Sequence, residues 1–254
     1  SLKNQEGGYF DIGIGYNFVY DKRNQAWQTT EGYKSAFTQR IPLISENYTL
    51  LNGYEVEKYV DFINHSLASK YLAGNLNSYF HLTSMKKTSK LIGINPGATY
   101  GNAKRWYPEK FAQIALELSN SFNIIIFGGI NELEFAKKIE DHLIKNNIKN
   151  FSNLAGKTSI TELTKYISSL DIFITGDSGP MHIAASLQIP TIALFGPTNP
   201  TETSQWNNPD SQIVKKNLDC QPCMKRTCPL KHRNCMRLIE VRDVIDSVSE
   251  IIKI

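Results

Sequence analysis

The sequence predicts an α/β protein whose carboxyl-terminal part, residues 90–254, forms a complete Rossmann-like domain after a partial α/β portion and linker at residues 1–89. Three observations predict this class. From Lys90 onwards, short apolar runs rich in Ile and Phe alternate with segments of helical periodicity. Most of these runs are continuously apolar, which is typical of parallel strands buried on both faces. Polar, glycine-containing turns follow several of them, at the sheet edge where such folds bind ligands.

The composition is that of an ordinary globular protein. Of its 254 residues, 41% are apolar and 20% are charged. The net charge of +4 suits a phosphorylated ligand, but the basic residues are scattered, so nucleic-acid binding is not indicated. No apolar run approaches the roughly 20 residues of a membrane span, and the first residues do not resemble a signal peptide. Four cysteines confined to residues 220–235 argue against a secreted disulfide framework, so we expect a cytoplasmic protein.

The amino-terminal region has a less regular pattern. Residues 10–14 and 41–44 are predicted as short strands, the second at a sheet edge because its proline cannot donate to a ladder. Residues 20–24 are predicted as a turn. A helix is expected from Tyr54 because apolar residues recur there at helical spacing. Residues 70–89 show little periodicity and are predicted to be a linker.

The elements of the carboxyl-terminal domain follow from periodicity and from cap signals. Strands are predicted at residues 91–95, 124–127, 150–154, 171–175, 191–195 and 212–214. Helices are predicted to begin near Pro108, Glu132, Ser159 and Pro180, and a last helix covers residues 241–252. Ser159 and Glu162 have the spacing of a capping box. Pro180 suits a first helical turn, because the N–H that it lacks would have had no partner there.

Residues 171–197 are the centre of this organisation. They read as a strand, a sharp turn at residues 176–180, a helix that Pro190 prevents from continuing, and a second buried strand. The helix would begin at the carboxyl end of a parallel strand. Its unpaired N–H groups and its dipole would favour an anion there. An ordinary β-α-β unit with a polar turn is the alternative.

Three polar turns are predicted to converge at one edge of the sheet: residues 97–104, 128–132 and 176–182. Thr99 offers a hydroxyl group, Lys104 offers a positive charge suited to a diphosphate, and Glu132 could accept hydrogen bonds from a ribose. A solvated basic turn is the alternative for Lys104 and its neighbour Arg105. The convergence of the turns favours a nucleotide site.

His182 lies in the first turn of the predicted helix. It could act as a general acid or base, or donate to a phosphate; a group that only satisfies the cap region is the alternative. Asp177, Ser178 and His182 superficially suggest a hydrolytic triad. Ser178 lacks the G-x-S-x-G elbow of such enzymes, so a triad is not favoured.

Two stretches together carry a family resemblance: GATYGNAKRWYPEKFAQIA and GDSGPMHIAASLQIPTIALFGPTNP. Their pairing resembles the ADP-heptose:lipopolysaccharide heptosyltransferases of glycosyltransferase family 9, and most of all the heptosyltransferase II branch. Tyr107 is inserted before the proline of the first motif. The resemblance covers residues 90–254 well, and the helix around residues 55–62 more weakly.

The resemblance implies a GT-B architecture, in which two Rossmann-like domains face each other and the carboxyl-terminal one binds the nucleotide sugar. It implies inverting transfer of heptose from ADP-L-glycero-D-manno-heptose to the lipopolysaccharide inner core at the inner membrane surface, without a cofactor. Lys104 and the helix N-terminus at Gly179 would stabilise the leaving diphosphate. By position in the motifs, Thr158 would lie by the adenine and Glu132 by the ribose. The diphosphate and the sugar would be held by Thr99, Tyr100, Lys104, Asp177, Ser178, Gly179 and His182.

The amino-terminal region departs from the family pattern. Family members carry an amino-terminal strand and a Gly-Asp turn that supplies the proposed catalytic base, and residues 1–89 contain no such turn. This region is also shorter than the roughly 150 residues expected of a full domain, so we expect a truncated acceptor-side domain. The base stays unassigned, since Asp11 is better interpreted as a surface carboxylate. The alternatives are a nucleotide-sugar-binding domain without transferase activity and a UDP-sugar enzyme of the same fold.

The cysteines form one cluster, with two, four and six residues between successive members. Cys220, Cys223, Cys228 and Cys235, with His232 nearby, could hold a structural zinc ion. The second and third spacings are not those of a zinc ribbon. Reduced thiols and redox-formed disulfides are the alternatives, and a catalytic cysteine is disfavoured.

Overall fold

The computed structural model describes residues 13–21, 34–42, 54–74, 89–98 and 101–252. The chain divides into two compact units. The first comprises residues 1–52 and 56–73, and the second comprises residues 53–55 and 74–254.

The described part of the first unit contains two strands and a helix. Strand β1 (Gly13–Asp21) pairs antiparallel with β2 (Lys34–Pro42), and Gly13 lies opposite Pro42. Helix α1 (Glu55–Leu67) begins where its periodicity predicted. The turn predicted at residues 20–24 is wrong at Tyr20 and Asp21, because pairing with β2 extends the strand through them and overrides local preference.

The second predicted strand also needs correction, since β2 ends at Pro42 and so lies almost wholly before residues 41–44. Residues 10–12 and 43–44 of the two predicted strands lie outside the described residues. Of the predicted linker, residues 71–74 have no regular structure and residues 75–88 are outside the described part. The partial acceptor-side domain stays a prediction.

The second unit is built on a parallel sheet of six strands in the order β5-β4-β3-β6-β7-β8. The strands are β3 (Leu91–Asn95), β4 (Asn123–Ile126), β5 (Phe151–Asn153), β6 (Ile172–Gly176), β7 (Thr191–Phe195) and β8 (Gln212–Lys215). The chain proceeds outwards from β3 in one direction and from β6 in the other. The boundary between β3 and β6 is therefore a topological switch point, where loops diverge and leave a crevice.

Helices cover both faces of this sheet, as the alternation of elements predicted. They are α2 (Pro108–Leu118), α3 (Leu133–Lys145), α4 (Ile160–Ser168), α5 (Gly179–Ser186), α6 (Pro200–Thr203), α7 (Asn234–Arg237) and α8 (Val241–Ile252). Two single turns of 3₁₀ helix precede α2 and α3, at Asn102–Lys104 and Ile130–Glu132.

The core consists of two main layers separated by the sheet. One layer joins Ile92, Ile94 and their neighbours to apolar residues of α2, α3 and α8. The other packs Phe127 and Phe173 against residues of α4 and α5. Because both layers are buried, the sheet edges and the loops at the strand ends are what remains to build a site.

Candidate functional site

A cavity of about 510 Å³ lies at the carboxyl ends of β3, β4 and β6. We call it the switch-point cavity; its volume is in the range of small-molecule sites. It brings together the three turns that the sequence predicted to converge. Seven of the predicted site residues line it: Lys104, Glu132, Thr158, Asp177, Ser178, Gly179 and His182. Thr99 and Tyr100, the other two, lie outside the described residues.

One end of the cavity carries a buried ion pair. Lys104 Nζ lies 2.5 Å from Asp177 Oδ2, and the Lys104 side chain is only 12% exposed. Thr198 Oγ1 donates to the same carboxylate oxygen at 2.6 Å. Lys104 is therefore held in place and is not the solvated basic residue of the alternative interpretation. Arg105 is partly buried too. Its Nε donates to Ala98 O at 3.2 Å.

Beside this pair, a polar cluster holds the start of α5. Asn95 Nδ2 donates to Thr175 Oγ1 at 3.0 Å and to Ser178 Oγ at 3.2 Å. Ser178 is the N-cap residue of α5, but its side chain makes no capping bond to the helix. A Cβ atom built on Gly179 would meet nothing within 4 Å, so open space lies next to the first residue of the helix. An uncapped helix N-terminus that faces a cavity favours an anion.

The other end of the cavity carries a carboxylate that has one oxygen without a hydrogen bond. Glu132 Oε2 accepts from the Gly129 amide at 2.8 Å. Glu132 Oε1 is buried without a hydrogen-bond partner. The nearest cation, Arg105 Nη2, lies 3.7 Å away, which is too far for a hydrogen bond. A Cβ atom at Gly97 would overlap the Glu132 side chain, so a glycine lets the turn approach it.

Thr158 lines the cavity just before α4, whose start is fixed by the predicted capping box. The Ser159 amide donates to Glu162 Oε2 at 2.8 Å, and the Glu162 amide donates back to Ser159 Oγ at 3.3 Å. The hydrogen bond from the Ser159 amide is the main reason that the pKa of Glu162 is lowered. Phe127, Ile160 and Leu163 add an apolar wall to the cavity. Such a wall can accept a flat aromatic base.

Two residues of the site escaped sequence reasoning. Asn95 ends an otherwise apolar strand, and a polar residue at that place was the available signal. Thr198 follows the Gly-Pro turn after β7, and nothing local indicated that it would reach Asp177. Both residues act on predicted ligand-binding groups through hydrogen bonds between distant parts of the chain.

The four cysteines are free thiols; Cys235 is buried and the other three are partly buried. Together with His232 they line a second, small cavity of about 20 Å³. Burial is the main cause that raises the pKa of the Cys235 thiol, and the neighbouring cysteines raise it further. Across the described ranges, no group of three or more His, Cys, Asp or Glu side chains is arranged to hold a metal ion. Zinc stays a prediction.

None of the helices in the described ranges has both the length and the apolar character needed to cross a membrane.

A parallel sheet with a cavity at its switch point, a cation and a helix N-terminus at one end and a buried carboxylate at the other is typical of a nucleotide-binding Rossmann-like domain. Comparison with known proteins gives the family. The chain belongs to glycosyltransferase family 9 (heptosyltransferase), whose profile matches residues 11–234. This confirms the resemblance carried by the two sequence motifs.

The similar proteins include two curated relatives from Campylobacter jejuni, each named lipooligosaccharide heptosyltransferase 2. The relative from serotype O:2 is 42% identical over 87% of this chain and 74% of its own length. The relative from serotype O:6 is 43% identical over 78% of this chain and 64% of its own length. The solved structure of E. coli ADP-heptose LPS heptosyltransferase II is 25% identical, with a TM-score of 0.57, over 66% of this chain and 48% of that one.

Proposed function

We propose that this protein is the nucleotide-sugar half, with part of the acceptor half, of a GT-B heptosyltransferase. The reaction is inverting transfer of heptose from ADP-L-glycero-D-manno-heptose to the lipopolysaccharide inner core. The family and the names of its relatives support the transferred sugar. The observation that carries the donor assignment is the switch-point cavity, with Lys104 and the start of α5 at one end and Glu132 at the other.

The phosphate groups of the donor would bind at the end that holds Lys104. A diphosphate carries negative charge, and the ammonium group of Lys104 and the N-terminus of α5 both complement it. Asp177 and Thr198 fix Lys104 before the donor arrives, so little reorganisation is needed. Negative charge grows on the leaving diphosphate as the bond to the sugar breaks. Fixed donors that stabilise such charge lower the barrier.

The heptose would lie next to the phosphates, where Asp177, Ser178 and His182 line the cavity. His182 is in the first turn of α5, which places it within the part of the cavity that we assign to the diphosphate and the sugar. Thr99 and Tyr100 belong to the same proposal by their motif positions.

The nucleoside would lie at the other end. Glu132 Oε1 is a buried acceptor that has no donor from the protein, and ribose hydroxyls would supply one. Thr158, through its backbone, and the apolar wall of Phe127, Ile160 and Leu163 would contact the adenine. We propose that the transfer step needs no cofactor, with Lys104 and the start of α5 supplying the positive charge at the diphosphate.

Inverting transfer also needs a base that removes the proton of the attacking hydroxyl group. We propose that the acceptor-side domain of the enzyme supplies it and that the acceptor lies at the cytoplasmic surface of the inner membrane. No residue in the described ranges is assigned this role.

Calorimetric titration with ADP and, separately, with UDP tests the donor proposal. Selective binding of ADP supports the heptosyltransferase assignment, and preference for UDP would keep the fold and reject the ADP-heptose donor. Transfer is then measured with ADP-heptose and two acceptors, a lipopolysaccharide inner core without heptose and one that carries a single heptose. The anomeric configuration of the product, read by NMR, tests inversion. ADP binding without transfer would favour a binding domain.

For the four cysteines we propose one structural zinc ion per chain. Four thiolates with a divalent cation carry a net charge of −2. Between Cys220 and Cys235 there are four basic residues and no acidic residue, so the surrounding charge would balance this negative charge. Zinc prefers thiolate ligands in this number. Elemental analysis of protein purified without chelators should give about one zinc per chain; metal-free, folded protein would reject the proposal.

A further inference from the structure

We infer that the cysteine segment, residues 220–236, is a positioning element of the switch-point cavity. It holds the two loops that deliver Lys104 and Thr198 to Asp177, so the state of its thiols is coupled to binding at the phosphate end. The inference concerns what the segment does, whether or not the thiols hold a metal.

The segment first fixes the loop that carries Lys104. The Ala103 amide donates to Arg226 O at 3.1 Å, and the Arg233 guanidinium donates to Arg105 O. These two bonds anchor the backbone immediately before and immediately after Lys104. A Cβ atom at Gly101 would overlap the Arg226 carbonyl group. The loop therefore lies directly on the backbone of the segment.

The segment also fixes the loop that carries Thr198. The Met224 amide donates to Pro197 O at 2.8 Å, and Gln221 Nε2 donates to Gly196 O at 2.6 Å. A Cβ atom at Gly196 would overlap the Met236 side chain. The two residues before Thr198 are thus bonded to the segment, as the residues on either side of Lys104 are.

The thiols lie where these contacts meet. The small cavity of about 20 Å³ that they surround is also walled by Ala103 and Pro197. Those residues take part in the two loop contacts just described. A space of that size holds about one water molecule. A larger group on a thiol would have to displace some of these walls, which include Ala103 and Pro197 of the two loops.

Side chains from both loops contact the same atom of Asp177. Lys104 Nζ and Thr198 Oγ1 reach the same oxygen of Asp177, at 2.5 and 2.6 Å. A shift of either loop therefore removes a partner from a buried carboxylate and moves the cation that we assign to the diphosphate. By linkage, a ligand that holds these groups in place also stabilises the cysteine segment.

A substitution that separates the loop from the segment tests the coupling. Gly101→Ala places a methyl group against Arg226 O, and Gly74→Ala is the matched control, because a Cβ atom there would meet nothing within 4 Å. ADP affinity should fall about tenfold in Gly101→Ala and stay unchanged in the control. Affinity for adenosine, followed by saturation-transfer NMR, should be the same in both. Equal losses for ADP and adenosine would indicate general damage and overturn a positioning role.

Alkylation of the thiols tests the same coupling without a substitution. The full chain is dialysed against EDTA, reacted with iodoacetamide and checked by mass spectrometry. Hydrogen exchange of the Ala103 and Met224 amides, measured without ligand, should be about fivefold faster in the alkylated protein than in unmodified protein. The ADP affinity of the alkylated protein should fall by a similar factor. Saturating ADP should slow the alkylation of unmodified protein.

The two readouts separate this inference from the proposed function, on which the choice of ADP rests. Unmodified protein that fails to bind ADP would count against the proposed donor, and the exchange of the two amides would still decide the inference. Stoichiometric alkylation that leaves both amides as protected as before would overturn it.

Discussion

The carboxylates at the two ends of the switch-point cavity are buried to the same degree but are satisfied in opposite ways. Asp177 is 5% exposed and Glu132 is 6% exposed. Asp177 Oδ2 receives both Lys104 and Thr198, whereas Glu132 Oε1 has no hydrogen-bond partner. A buried polar atom without a partner costs free energy. Asp177 therefore positions the protein's own cation, whereas Glu132 keeps an acceptor oxygen that a ligand can use.

Lys104→Ala should produce the largest effect, because it removes the cation that pairs with Asp177. Breaking a buried pair leaves an uncompensated charge and costs about 3 kcal/mol of unfolding free energy. ADP affinity should fall about 100-fold through the lost charge-assisted contact. Chemical denaturation and calorimetry measure the two effects. Lys138→Ala, at a half-exposed lysine of α3, is the control and should change neither.

The double variant Lys104→Ala with Asp177→Asn sharpens this prediction. Asparagine removes the charge that the single variant leaves unpaired, so much of the stability should return while ADP affinity stays low. Recovery of both quantities together would show that Lys104 acts on binding only through the stability of the fold.

Glu132→Gln should have the next largest effect, at the unsatisfied end. We expect ADP affinity to fall about tenfold, since a neutral amide accepts more weakly than a carboxylate. Stability should change little, because Oε1 has no hydrogen bond to lose and the ion pair with Arg105, at 3.7 Å, is long. The discriminating ligand is 2′,3′-dideoxy-ADP. Wild-type protein should bind it about tenfold more weakly than ADP, and Glu132→Gln should bind both alike; a persisting preference for ADP in the variant would contradict the ribose contact.

The two ends also differ in how much of them the sequence could predict. Strand ends in an alternating α/β sequence share one sheet edge, so the convergence of the turns bearing Lys104, Glu132 and Asp177 followed from order alone. The hydrogen-bond partners of these residues could not be predicted from that order. Thr198 reaches Asp177 across 21 residues and Asn95 reaches Ser178 across 83. Such pairs depend on three-dimensional packing, and no local pattern encodes them.

The fold shows the same division between periodic and local signals. All six strands of the parallel sheet were predicted to within two residues. Continuous apolar runs identified the buried strands β3, β4, β6 and β7, whereas β5 and β8 are more exposed and carry polar residues. Helices α6 and α7 were missed, since four residues are too few to show helical periodicity. At the amino terminus, pairing between β1 and β2 decides the strand bounds, and turn-forming residues alone misled the prediction there.

Thr198→Val tests whether the Asp177 carboxylate depends on the hydroxyl group of Thr198 as well as on the Lys104 cation. Valine keeps the shape but leaves Asp177 with Lys104 alone, so we expect a loss of about 1 to 2 kcal/mol in unfolding free energy. ADP affinity should fall about threefold to tenfold, less than for Lys104→Ala, because the charge is still present. Thr161→Val, at an exposed position of α4, is the control. An effect as large as that of Lys104→Ala would assign Thr198 a direct contact with the donor.

Ser159→Ala should have the smallest effect and adds an exposed carboxylate to the comparison. Loss of the N-cap hydroxyl costs about 1 kcal/mol, and ADP affinity should hold, because the Ser159 side chain is not among the groups that we assign to the adenine. The pKa of Glu162 is lowered from its usual value of 4.5, mainly by the Ser159 amide and next by the Ser159 side chain. A lowered pKa gives stability that is present above pH 4.5 and is lost as the pH falls through the folded-state pKa. The variant lacks the side-chain part of this shift, so its deficit should shrink on acidification below pH 4.5. Urea unfolding at pH 7 and at pH 3.5 measures this difference; a deficit that is equal at both values would show that the hydroxyl group acts on the helix backbone and not on the Glu162 carboxylate.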